Sequence, residues 1–156
     1  MNKIIKLILA IGVCQLAGIL GSVFTFSAIS EWYLFLNKPF FSPPNWLFAP
    51  AWITLYTLMG ISLYLVLEKG LLTQKNKMPL YFFSAQLALN ALWSILFFGL
   101  RSPLFGLIEI IVLLIAIALT IKEFYSIDKR AAYLLIPYIL WVSFATILNY
   151  FILVLN

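Results

Sequence analysis

Five stretches of this chain stay apolar for about twenty residues each: roughly 4–26, 47–67, 79–100, 104–121 and 132–155. A helix rises 1.5 Å per residue, so ~20 such residues cross the ~30 Å hydrocarbon core of a bilayer. Strands of a membrane barrel would instead alternate over ~10 residues, and these runs do not. The chain therefore reads as an all-α integral membrane protein. It is a five-transmembrane-helix bundle, a single domain over residues 1–156 with a long ordered loop between helices 1 and 2. Composition agrees, since 65% of residues are apolar and 10% charged. A soluble domain carries about 45–50% and about 25%. In such a chain the polar residues inside apolar runs carry the information.

The net charge of +5 comes from basic residues scattered in loops. They form no stripe that would hold a nucleic acid, and no nucleic-acid partner is expected. Lys3, Lys6, Lys69, Lys75, Lys77, Lys122, Lys129 and Arg130 fall on the side of the N-terminus, whereas only Lys38 and Arg101 fall on the other. The positive-inside rule then places the N-terminus in the cytoplasm and the C-terminus outside, in a prokaryotic plasma membrane. One cysteine and no histidine exclude a disulfide framework, a Cys/His metal site and a His-based triad. Lys3 and Lys6 before an apolar run imitate a signal peptide, with Cys14 as a lipoprotein cysteine. Val13 suits cleavage poorly, however, and the run continues to about Phe26, so it is read as the first span. Cys14 and Gln15 are read as helix packing.

Between Trp32 and Gly60 lie four of the seven prolines and three of the five tryptophans. Lys38-Pro39 and Ser42-Pro43-Pro44 restrict φ and remove backbone donors, so this segment can be ordered without regular structure. Its aromatic side chains need an apolar surface. Trp32, Pro39, Pro43, Pro44 and Trp46 are therefore expected to form a lid over the mouth of the bundle, through which a ligand would pass. Trp32 and Trp46 lie near the interface, where tryptophans also serve as belt anchors.

The third span has two faces. Gln86, Asn90, Trp93 and Phe97 recur at three- and four-residue steps and share one of them. Ser84, Ala88 and Ala91 lie about 200° around the helix. Small residues permit close helix approach, so this second face suits a helix–helix interface, and the polar face suits a cavity. The last span repeats the theme with Tyr138, Trp141, Ala145 and Asn149. Trp52 lies roughly 8 Å below the outer end of its span, and Trp141 lies too deep for a belt. These side chains could line one pocket in the outer half of the bundle. Glu109, an acid within the fourth span, is expected to pair with Arg101 across the Arg101-Ser102-Pro103 turn.

The ordered blocks resemble the TspO/translocator protein family, also known as tryptophan-rich sensory proteins or peripheral-type benzodiazepine receptors. They are Trp32-Tyr33, Lys38-Pro39, Pro43-Pro44, Pro50-Ala51-Trp52, Leu55-Tyr56, Met59-Gly60, Gln86 to Asn90, Trp93-Ser94, Phe97-Phe98-Gly99, Arg101, Pro137-Tyr138, Trp141, Phe144-Ala145 and Leu148-Asn149. The resemblance implies a homodimer of five-helix bundles, each with a cavity for porphyrins and benzodiazepine-site ligands. Ligand contacts carry over by position to Tyr33, Trp52, Asn90, Trp93, Trp141 and Ala145; Tyr56 and Tyr138 join them as aromatic neighbours. The dimer contact falls on Ser84, Ala88 and Ala91. The C-terminal sterol motif associated with mammalian members needs a Lys or Arg within five residues of a Tyr. Here Tyr150 is followed by Phe151-Ile152-Leu153-Val154-Leu155-Asn156, so the motif is broken and sterol binding is left doubtful.

The reading is a membrane receptor or translocator-like protein that takes a tetrapyrrole, with no obligatory cofactor. Two rivals remain. A light-dependent porphyrin-degrading enzyme fits the tryptophans, but no acid–base pair or nucleophile constellation supports it. A small-molecule transporter fits poorly, because no internal repeat is visible.

Overall fold

A computed structural model describes residues 2–156. Helix α1 spans Lys3–Glu31, α2 Phe48–Glu68, α3 Met78–Ser94, α4 Pro103–Ile127, α5 Lys129–Leu134 and α6 Ile136–Leu155. Five helical segments are long and apolar enough to cross a membrane, α5 and α6 together making the fifth. The upper end of the bundle carries the α1–α2 connection and Asn156; the lower end carries the N-terminus.

The helices begin where short-range chemistry starts them. The Asn2 side chain accepts from the Ile4 N–H at 2.8 Å, and the Ser102 hydroxyl accepts from the Phe105 N–H at 3.2 Å. Each satisfies a backbone donor that the first turn leaves free. Pro103 follows Ser102 at the start of α4, where a missing N–H costs little. The reversal before it falls at Arg101, whose φ of 51° is left-handed. Two interruptions matter for the cavity. α3 ends in a π-helical turn, Ile95–Gly99, which shifts the register by one residue and buries both Phe97 and Phe98. Pro137 removes a backbone donor where α5 gives way to α6. The Ser62 hydroxyl of α2 donates to the Ala131 carbonyl there at 2.7 Å.

Around the bundle α2 packs on α1, α1 on α3, α3 on α4, and α4 on α5 and α6; α5 then returns to α2. α6 meets α2 only slightly, so the upper half of the bundle is left hollow. Below lies a core built around Cys14, Met59, Val66, Ile117, Tyr138 and Val142. Above, toward α3 and α6, a second core gathers Ala28, Tyr33, Phe97, Phe98, Leu148 and Ile152.

Three helices outrun the expected spans. α1 continues past Phe26 to Glu31, α4 past Ile121 to Ile127, and the last span starts at Lys129 rather than 132. Apolarity marks where a chain crosses lipid. The helix itself runs on through Lys and Glu, which are good helix formers.

Candidate functional site

A cavity of about 640 Å³ occupies the hollow between α1, α2, α3 and α6. Such a volume falls in the range of small-molecule sites, about 300–1,000 Å³. Of the expected contacts, Tyr33, Trp52, Tyr56, Asn90, Trp93, Trp141 and Ala145 all line it. Three helices thus bring their aromatic faces together. Trp52 stacks on Tyr56 with ring centres 5.5 Å apart. Trp93 stacks on Phe97 at 4.9 Å, where the π-helical turn has delivered that ring. No lining residue carries a charge.

Tyr138 does not line the cavity. It is 1% exposed and stands a layer behind, edge-on to Trp52 at 6.4 Å. Its work there is to hold a buried polar chain. The Tyr56 hydroxyl donates to Asn90 Oδ1, Asn90 Nδ2 donates to the Tyr138 hydroxyl at 2.8 Å, and that hydroxyl donates to Gln86 Oε1 at 2.8 Å. Gln86 Nε2 reaches Met59 Sδ at 3.5 Å. Polar groups at membrane depth must be paired within the protein, and this chain fixes the orientation of Asn90 in the wall. Likewise the Trp93 indole N–H donates to Asn149 Oδ1 at 3.1 Å, and Asn149 Nδ2 donates to the Pro103 carbonyl at 2.8 Å.

The Tyr33 hydroxyl is different. It is buried without a hydrogen-bond partner among the described residues, as is the Ser42 hydroxyl. Burial pushes the Tyr33 phenol above its usual range, so it stays a neutral hydroxyl. It lies beside the Ser42 hydroxyl, shielded from the open space of the cavity.

The lid residues separate. Trp46 lines the cavity, but Trp32, Pro39, Pro43 and Pro44 do not. Trp32 packs on Phe97 at 5.5 Å, and Pro43 lies against Pro137, Leu140 and Trp141 in a shallow groove on the outside of α6. The segment between them is held over α6 by Phe41, whose ring meets Phe144 at 6.1 Å and Phe151 at 5.6 Å. Asn156 Nδ2 also donates to the Asn37 carbonyl at 2.9 Å. Ser84 and Ala88 are exposed on the outside of α3, with Ala91 half-buried beside them.

Two readings of single residues change. Arg101 pairs with Glu31 of α1 at 2.9 Å, not with Glu109, which is 6% exposed and faces inward from α4. Gln15 is more than packing, because it lines the cavity and its Nε2 donates to the Ile53 carbonyl at 3.1 Å and to Thr57 Oγ1 at 3.0 Å. The wall that α1 contributes was missed altogether. Its signal was present in Gln15, Gly18, Ser22 and Thr25, a polar and small stripe at helical spacing.

The sequence pattern of the TspO/MBR family matches residues 10–155. The chain belongs to the TspO/MBR family. It is 48% identical to the tryptophan-rich protein TspO of Archaeoglobus fulgidus, over 99% of both chains. It is 46% identical to the protein of that name from Chlorobaculum tepidum, over 100% of this chain and 99% of that one. The human translocator protein is 41% identical over 83% of this chain and 78% of its own. Family membership and five spanning-length helices make this an integral membrane protein.

Proposed function

We propose that the protein is a receptor or translocator-like membrane protein that binds porphyrins and similar flat hydrophobic ligands. The observation that carries this reading is the cavity of about 640 Å³ walled by Trp52, Tyr56, Trp93 and Trp141 and free of charged side chains. Aromatic faces at several angles suit a broad conjugated ring, and an uncharged wall suits a ligand whose buried part is neutral. The names of its relatives, translocator protein and tryptophan-rich sensory protein, agree with a ligand-handling role. Benzodiazepine-site ligands belong to the same proposal, as does a plasma-membrane location with the N-terminus in the cytoplasm. In that orientation the cavity lies in the outer half of the bilayer.

The test is a titration of the purified protein with a free-base porphyrin, followed by tryptophan fluorescence. Trp52, Trp93 and Trp141 form the wall, so saturable quenching at one ligand per chain is expected. Linear, unsaturable quenching would refute the reading. Haem should bind no more tightly than the metal-free ring. The chain has no histidine, and the lining offers iron only tyrosine hydroxyls as conventional axial donors. A haem complex far tighter than the free base, with a strong axial-ligand absorption signature, would contradict this.

A further inference from the structure

We propose that the cleft between the upper halves of α1 and α2 is the passage by which ligand reaches the cavity, directly from the acyl-chain layer of the bilayer. The proposal rests on the ligand-binding reading above and adds the route.

The rim of a cavity is marked by residues that both line it and remain exposed. Here these are Ile19 and Phe26 of α1, Ala49 and Ile53 of α2, and Trp46 just before α2. Ile19 is 57% exposed, Phe26 79%, Trp46 71% and Ile53 59%. The lining residues from α3 and α6 are all buried or half-buried, so among the described residues the exposed rim lies on the α1–α2 side.

The other sides are closed by named contacts. Between α2 and α6, Phe48 meets Trp141 at 6.3 Å and Trp52 meets Tyr138 at 6.4 Å. Between α1 and α3, Gly21 leaves just enough room for Ser94, and Gly99 for Phe24. Above, Tyr33 meets Phe48 edge-on at 6.3 Å. Residues 34–44 of the proline-rich connection line no part of the cavity and are anchored over α6, and of that connection only Trp46 reaches the rim.

α1 and α2 part because they are bound tightly lower down. Gly60 lets α2 lie against the α1 backbone at Ile11, and Gly18 leaves space for the Tyr56 ring. The bonds from Gln15 to Ile53 and Thr57 tie the helices at the floor of the cleft. Two straight helices in contact at one level diverge away from it, and no lining residue above Gln15 ties them again among the described side-chain hydrogen bonds.

Depth decides what enters. The apolar run of α1 ends at about Phe26, and Ile19 lies seven residues, about 10 Å, below it. The opening therefore runs from the interface at Phe26 about 10 Å into the hydrocarbon at Ile19. A hydrophobic ligand dissolves in that layer and meets the cleft there without crossing water.

The test uses the full chain in nanodiscs, a free-base porphyrin as probe, and stopped-flow tryptophan quenching, all in a Cys14→Ala background. Phe26→Cys with Ala49→Cys accepts a bifunctional thiol reagent across the cleft, and the stapled form is compared with the unstapled form of the same variant. Asn37→Cys with Asn156→Cys pins the connection to the end of α6 in the same way. Stapling the cleft should slow both binding and release about tenfold or more while Kd moves by less than about threefold, as expected for a route rather than a contact. Pinning the connection should leave both rates as they were. If the cysteine pair across the cleft does not fold, Ala49→Trp with Ile53→Trp fills it instead; both positions also line the cavity, so the rates alone are read there, and both should fall about tenfold or more. Unchanged rates in the stapled or filled cleft would overturn the passage, most decisively if the pinned connection became slow. A probe that fails to bind the parent at all would overturn the ligand reading, and the passage with it.

Discussion

Glu109 shows how much a single side chain is constrained at membrane depth. It is buried on α4, and neither carboxyl oxygen has a hydrogen-bond partner among the described residues. A charge costs about 2.5–3.5 kcal/mol at the centre of a spanning helix on insertion scales, and less toward the ends, where Glu109 stands as the seventh residue of α4. Glu109→Gln keeps the shape and cannot ionise, so thermal unfolding in detergent should give a Tm equal to or above the parent's. A clear drop would show that the acid makes a bond that the amide cannot replace. Glu109→Lys, which brings a longer charged chain to the same place, should prevent stable folding. The sequence showed this acid to be unusual but not which way it faced. Arg101 was the nearest basic residue along the chain, whereas Glu31 is the one the fold brings within 2.9 Å. Pairing across space is set by the packing of α1 on α3 and on the π-helical turn, which no local pattern records.

At the scale of elements, the seam between α1 and α2 depends on glycines that are not interchangeable. A Cβ on Gly60 would meet the backbone of Ile11, which cannot swing aside, whereas a Cβ on Gly12 would meet nothing within 4 Å. Gly12→Ala should therefore gain about 0.5–1 kcal/mol of helix stability. Gly60→Ala should lose about 1–3 kcal/mol by forcing the helices apart. Urea or thermal unfolding of both variants checks the sign, and equal behaviour would mean that the seam is not tightly packed. The α4–α5 corner gives a pH-dependent case. Asp128 caps α5 by accepting from the Arg130 N–H at 2.9 Å, and the Arg130 guanidinium holds its carboxyl below the usual range. A depressed carboxyl stabilises the fold above its unfolded pKa, and that share is lost as pH falls through the folded value. Asp128→Ala should cost about 1 kcal/mol at neutral pH, as lost caps do. Its deficit should shrink below about pH 4, where the parent's carboxyl also takes up its proton. The cap is a local pattern, Asp128-Lys129-Arg130, whereas the seam is not. Gly12, Gly18 and Gly60 look alike in the sequence, and only the crossing of two helices tells them apart.

For the whole molecule, five spans were legible because lipid demands about twenty apolar residues per crossing. The aromatic wall was legible because Asn90, Trp93 and Phe97 recur at helical spacing on one span, and Trp141, Ala145 and Asn149 on another. Which side of the bundle opens was not, since it depends on how α1 and α2 diverge, and the prolines drew attention to the connection above α6 instead. We propose that the chain also pairs with a second copy of itself. The face of α3 that carries Ser84 and Ala88 is turned outward, uncovered by any other helix of the chain. In lipid, apolar burial drives little association. Close backbone approach through small residues drives it instead, and a two-fold dimer would bring this face against its own copy. Ala88→Phe inserts a ring where backbones would need to touch, so mass measurement in detergent should show the dimer population fall strongly toward monomer. Porphyrin binding should persist in part, because the cavity lies on the opposite side of α3, where Asn90 and Trp93 point inward. A dimer that survives Ala88→Phe unchanged would place the interface on another helix, and loss of binding together with the dimer would mean that the cavity needs its partner to stay formed.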